Sequence, residues 1–280
     1  MRFAICNETF PDWPLERGFE FAAECGYTGV EIAPFTMQPA AEHADVARIT
    51  AAERQTVRKQ AEAAGLEVIG LHWLLAKTTG LHLTSPDAAV RQRTTEYFKE
   101  LARLCRDLGG SLMVLGSPQQ RSLQPGVTYQ QGLRYAAEVL AGALPTFEET
   151  GVTLAFEPLA PVLTDFVTTA AQGVELIEIL SSPHCRLHLD CIAMSTESTS
   201  IPDLLRRHRS LLAHVHANDP NKQGPGFGDL DFRPIFTALG EIDYAGWVSV
   251  EVFDFTPSPE RLARESFDYM RAVLEDLAAA

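Results

Sequence analysis

A short apolar run followed by a stretch of helical periodicity recurs eight times along this chain, with no linker and no low-complexity segment between the repeats. Arg2 to Phe10 reads as a first strand, and Leu15 to Cys25 as the helix after it, closed by Gly26. The strand Gly29–Pro34 precedes a helix that opens on the capping-box pair Thr50 and Glu53 and stops at Gly65. Glu67–Leu75 leads to a long helix started by Ser85-Pro-Asp87 and ended by Gly109-Gly110. Ser111–Gly116 leads to a helix from about Tyr129 to Thr150, in which Pro145 predicts a kink. The last four strands end at Glu157, Asp190, His216 and near Glu251, and helices follow over Thr168–Leu180, Ile201–Arg209, Phe232–Leu239 and Ser258–Leu277.

Apolar strands separated by crossover helices imply a parallel sheet covered on both faces. Eight such units favour closure over an open sheet, and no glycine-rich phosphate loop follows strand one. At 280 residues the chain suits one α/β domain, so the expectation is a single (β/α)8 TIM barrel over residues 1–280.

In such a barrel every strand delivers its carboxyl end to one mouth. The run Leu212-Ala-His-Val-His-Ala-Asn-Asp-Pro220 passes from apolar to polar residues at His216, before the loop Asn221–Asp229. Glu157, Asp190 and Glu251 likewise follow apolar runs, where an unpaired charge is costly. These four residues make a candidate metal site. Three carboxylates and one imidazole form a hard, oxygen-rich set suited to Mn²⁺, Mg²⁺ or Co²⁺ rather than to a structural Zn²⁺.

A net charge of −14 disfavours nucleic acid as a partner, since that binding draws on clustered Lys and Arg. No apolar run approaches membrane-spanning length and Met1-Arg-Phe-Ala-Ile5 carries no signal-peptide pattern, so a cytoplasmic location is expected. The five cysteines are scattered without paired spacing, which reads as buried thiols.

Through Phe156-Glu-Pro158, His188-Leu-Asp190, His214-Val-His216 with the loop Pro225-Gly-Phe-Gly228, and Val250-Glu251, the chain resembles the xylose-isomerase-like barrels. That family includes sugar-phosphate isomerases/epimerases and ketose 3-epimerases. The resemblance implies that Glu157, Asp190, His216 and Glu251 bind a divalent ion, Mn²⁺ foremost with Mg²⁺, Co²⁺ or Zn²⁺ open. It also implies that Glu157 and Glu251 act as acid and base on opposite faces of a sugar or sugar derivative. Where the ketose 3-epimerases place a histidine, a second glutamate and an arginine, this chain has Ala193, Leu163 and Lys222. Those departures point away from a free ketose and leave the proton-transfer chemistry in place. The DNA-repair endonucleases of the same superfamily require histidines where Ala193 and Asp231 stand.

Five further residues are candidates for substrate contact. His72 and Trp73 end strand three, and would offer a hydrogen bond and a stacking face, or simply pack. His188 shares the face of Asp190, as ligand-orienting group or core histidine; Lys222 is a loop cation, functional or solvated; Asn7 ends strand one beside Glu8. The expected function is a metal-dependent isomerase or epimerase. Elimination through the same carbanion, on keto-sugars or 3-keto-glycosides, and a sugar-binding barrel without catalysis are the alternatives. A homo-oligomer, dimer or tetramer, is implied by the resemblance alone.

Overall fold

Each of the eight apolar runs forms a strand in the computed structural model, which describes residues 1–279. The strands are β1 (Arg2–Cys6), β2 (Gly29–Ile32), β3 (Glu67–Leu71), β4 (Leu112–Leu115), β5 (Thr153–Phe156), β6 (Cys185–Asp190), β7 (Leu212–Ala217) and β8 (Trp247–Val250). They lie parallel in chain order, and β8 returns to β1 through the register Arg2↔Trp247 to Ile5↔Val250, closing a (β/α)8 barrel. The helices are α1 (Leu15–Cys25), α2 (Ala51–Ala63), α3 (Ala88–Leu108), α4 (Tyr129–Thr150), α5 (Ala170–Leu180), α6 (Cys191–Met194), α7 (Ile201–His208), α8 (Arg233–Glu241) and α9 (Pro259–Ala279).

Local chemistry accounts for the helix starts. The Thr50 hydroxyl accepts from the Glu53 backbone N–H at 3.3 Å, while the Glu53 carboxylate accepts from the Thr50 N–H at 2.7 Å, completing the expected capping box. Thr128 and Gln131 form a second one at the head of α4, which continues through Pro145. None of the described helices is long and apolar enough to cross a membrane.

Two strands end earlier than their apolar runs suggest. β1 stops at Cys6 and turns over Asn7–Thr9, and β3 stops at Leu71. The following residues stay buried without pairing in the ladder, as Leu74 and Leu75 do. Apolarity reports burial, and these rim segments are buried by folding over the mouth rather than by extending the sheet. The four-residue α6 was also not foreseen; Asp190 caps it by accepting from the Ala193 N–H at 2.8 Å.

At the opposite end, Arg2 bonds Glu67 at 3.2 Å and its guanidinium lies 4.0 Å from the Trp247 ring, closing the floor. β3 and β4 approach so tightly there that a Cβ on Gly70 would stand 2.0 Å from the Leu112 carbonyl oxygen. Only glycine fits that contact.

Candidate active site

The pairing of β6 with β7 sets Asp190 opposite His216 and, one layer deeper, His188 opposite His214. Glu157 follows β5 directly, its N–H donating to the Leu115 carbonyl on β4 at 3.1 Å, and Glu251 follows β8. All four candidate ligands are at most 7% exposed. One ligand atom from each of Glu157, Asp190, His216 and His188 lies within 4.8 Å of the others. Glu251 adjoins this group through His216, with Oε2 2.9 Å from Nδ1.

Burial, and then the charges of Glu251 and Asp190, push Glu157 well above the ordinary carboxylate range. Asp190 is pushed up to about 6 by burial and then by Glu251, against hydrogen bonds from the Ala193 N–H and the Asn218 amide. Burial also acts on Glu251, but His216 and His72 outweigh it and hold the carboxyl down at about 2. Three clustered carboxylates of this kind favour a cation among them. A further sign of fit is His188, fully buried, with neither ring nitrogen hydrogen-bonded. Burial, then the neighbouring His216 and His214, lower its pKa far below the usual imidazole value, so it stands neutral with a free lone pair.

Glu31 escaped the sequence reading. It is completely buried in β2, with Oε1 2.7 Å from His214 Nε2 and 3.2 Å from His216 Nε2. Holding Nε2 fixes the His216 ring and leaves Nδ1 on the side of Glu251, as carboxylates behind metal-binding histidines do. The available signal was a glutamate inside an apolar strand covered on both faces, where a charge needs a partner. His214 is thereby a structural residue.

Arg121, also unforeseen, is fully buried behind Glu157. Nη1 donates to the carbonyls of Gly116 at 3.2 Å and Glu157 at 2.6 Å, and Nη2 to those of Phe166 at 3.1 Å and Val167 at 2.7 Å. Val167 is held at φ 56°, a strained conformation for a β-branched residue. The guanidinium thus ties the ends of β4 and β5 to the loop before α5.

The other candidates fall in different places. Trp73, at φ 51°, donates from Nε1 to Glu251 Oε1 at 2.8 Å and stacks on Phe253 with ring centroids 6.1 Å apart. His72 is buried beneath it, Nε2 2.8 Å from Glu8 Oε2. Asn7 spends its side chain on the turn after β2: Oδ1 accepts from the Ala33 N–H at 2.7 Å and Nδ2 donates to Thr36 Oγ1 at 2.9 Å. Glu8, its neighbour in the turn after β1, is the residue that meets His72 and Glu251. Lys222 is exposed, and its carbonyl accepts from the Phe253 and Asp254 N–H groups. A cleft of about 810 Å³ opens over this side of the mouth, lined among others by Glu8, Trp13, Phe35, Trp73, Lys77 and Phe255. All five cysteines are buried and unpaired.

Gly116 offers a local test. A Cβ there would stand 2.4 Å from Glu157 Oε2. Gly116→Ala is expected to leave the far-ultraviolet circular dichroism unchanged while lowering divalent-metal affinity about 10- to 100-fold, the range seen when groups that position metal ligands are disturbed. Isothermal titration with Mn²⁺ checks this, and wild-type affinity in the variant would exclude Glu157 from the ligand set.

The model of the xylose isomerase-like TIM barrel family matches residues 19–273. The chain is 30% identical to an L-ribulose 3-epimerase of Mesorhizobium japonicum over 200 residues, covering 71% of this chain and 67% of that protein. It is 26% identical over 250 residues to a D-psicose 3-epimerase of Agrobacterium fabrum, covering 86% and 81%. Among solved structures, a D-psicose 3-epimerase from Clostridium cellulolyticum with D-tagatose superimposes with a TM-score of 0.85 at 20% identity, covering 98% of this chain and 99% of that one.

Proposed function

Because the chain belongs to the xylose isomerase-like TIM barrel family, we propose that it is a divalent-metal-dependent epimerase of a sugar or sugar derivative, with Mn²⁺ as the foremost metal. The observation that carries this reading is the convergence of Glu157, Asp190 and His216 to within 4.8 Å, with Glu251 bonded to His216. Glu157, Asp190, His216 and Glu251 would hold the ion. When bound, it supplies stabilisation of the negative charge that develops on the substrate oxygens.

The protein groups do the proton work. Glu251 takes the proton from the carbon next to the carbonyl. Glu157 returns a proton to the opposite face. Trp73 keeps Glu251 in place through its N–H, and together with Phe253 and Phe35 forms an aromatic wall against water.

Ala193, Leu163 and Lys222 stand where free-ketose epimerases carry other groups, and a cleft of about 810 Å³ lies beside Trp73. Both support a keto-sugar bearing a substituent over a bare ketose. The named relatives are epimerases, which weighs against elimination and against binding without catalysis. The same reading takes the chain as a cytoplasmic dimer or tetramer.

The deciding experiment is incubation of keto-sugars and 3-keto-glycosides with the enzyme in deuterium oxide. Epimerisation should place solvent deuterium on the inverted carbon, stop after chelator dialysis, and return with Mn²⁺. Product without solvent deuterium, or full activity after dialysis, rules the reading out.

A further inference from the structure

We propose a second divalent-cation site in the same mouth, formed by Cys6, Glu8 and His72 and sharing Glu251 with the first. One ligand atom from each of these four residues lies within 4.8 Å of the others. Cys6 and His72 are fully buried, Glu8 is 6% exposed and Glu251 3%. Apart from Glu251, the set has no member in common with Glu157, Asp190 and His216, and Cys6 Sγ lies 3.8 Å from His216 Nε2.

His72 Nε2 is 2.8 Å from Glu8 Oε2, and Nδ1 is 3.7 Å from Glu251 Oε1. At the shorter distance the two groups attract each other, yet among the described residues neither Glu8 oxygen and neither His72 nitrogen has a well-aligned hydrogen-bond partner. Two unpaired hydrogen-bonding groups in contact inside a buried site are costly. An ion held between Glu8 and one His72 nitrogen would satisfy both, since with bonds of about 2.0–2.3 Å the ligand atoms of one ion sit about 3–3.5 Å apart without bonding to each other.

Glu251 divides its oxygens between the two sites. Oε2 faces His216 Nδ1 at 2.9 Å, while Oε1 faces the His72 side and accepts from Trp73 at 2.8 Å. A carboxylate placed so is the usual bridge of a two-metal centre. The donor sets differ in character. Cys6 and His72 add sulfur and nitrogen to two carboxylates, which suits Zn²⁺, whereas the oxygen-rich first set suits Mn²⁺ or Mg²⁺. An entry path exists, since Glu8 lines the open cleft.

The plain alternative is an ion pair between protonated His72 and Glu8, which binds no metal. The full-length protein, freed of metal by chelator, is reloaded with Co²⁺, cleared of excess and analysed for metal per chain and for thiolate-to-cobalt charge-transfer absorption. The wild type should hold two equivalents and show the thiolate band; Cys6→Ser should hold one and lose the band, and His72→Asn should hold one. Asp190→Asn should lose the first equivalent and keep the band. A wild type with one equivalent and no thiolate band overturns the second site, as does a Cys6→Ser chain that still holds two. One equivalent with the band, unchanged in Asp190→Asn, instead sinks the first centre and leaves this one standing.

Discussion

Glu157→Gln and Glu251→Gln are each expected to lower epimerisation by about 10²- to 10⁴-fold, the usual contribution of a positioned acid or base. The amide keeps the shape of the side chain but neither takes nor gives a proton in the same way. The environments of the two carboxyls differ sharply. Burial and the anions of Glu251 and Asp190 push Glu157 up, while His216 and His72 overcome burial at Glu251 and hold it at about 2. A bound dication would hold both carboxyls ionised, so the acid and base roles would exchange with the epimer being converted. The measurement is the rate of solvent-deuterium entry into each epimer. Glu251→Gln should block exchange from one epimer and Glu157→Gln from the other. Wild-type exchange rates in both variants would falsify the two-base mechanism.

Arg121→Met is expected to cost about 3–5 kcal/mol of folding stability, the loss that follows removal of one partner from a buried charged network. The guanidinium serves four backbone carbonyls from three segments, and methionine takes a donor from each, leaving only that of Val167 a second one, the Leu159 N–H at 3.2 Å. Arg121→Lys keeps the charge but not the planar fork, so it should recover only part of the loss. Urea unfolding followed by tryptophan fluorescence gives the comparison. A change in Arg121→Met below about 1 kcal/mol, within the range of ordinary surface substitutions, would mean that these bonds contribute little beyond local order. A second consequence separates this arginine from a generic core residue. Since Nη1 holds the Glu157 carbonyl, the variant should lose metal affinity at temperatures where it remains folded.

What was legible along the chain and what was not divide along a physical line. The strand-ending residues Glu157, Asp190, His216 and Glu251 could be picked out because each interrupts an apolar run, a pattern set by the chain locally. Glu31 gave the same kind of signal, a charge within Gly29–Ile32, but its partners lie 183 and 185 positions away in sequence, so nothing nearby named them. Arg121 gave none: it follows an ordinary loop, and only the approach of β4, β5 and the 166–167 segment surrounds it. The choice between Asn7 and Glu8 also lay beyond local pattern, because the turn after Cys6 decides which side chain reaches the turn after β2 and which enters the mouth.

The sequence by itself determined that eight apolar segments alternate with amphipathic helices, and with them the closed parallel barrel and the end at which its polar residues gather. Periodicity and capping are properties of neighbouring residues, so they survive without knowledge of the whole. Only the tertiary structure decided which buried groups face one another, since strand register and rim turns bring together residues that share no local code. That is why the carboxylates could be anticipated, while the histidine that Glu31 orients, the carbonyls that Arg121 gathers and the cluster of Cys6, Glu8, His72 and Glu251 could not.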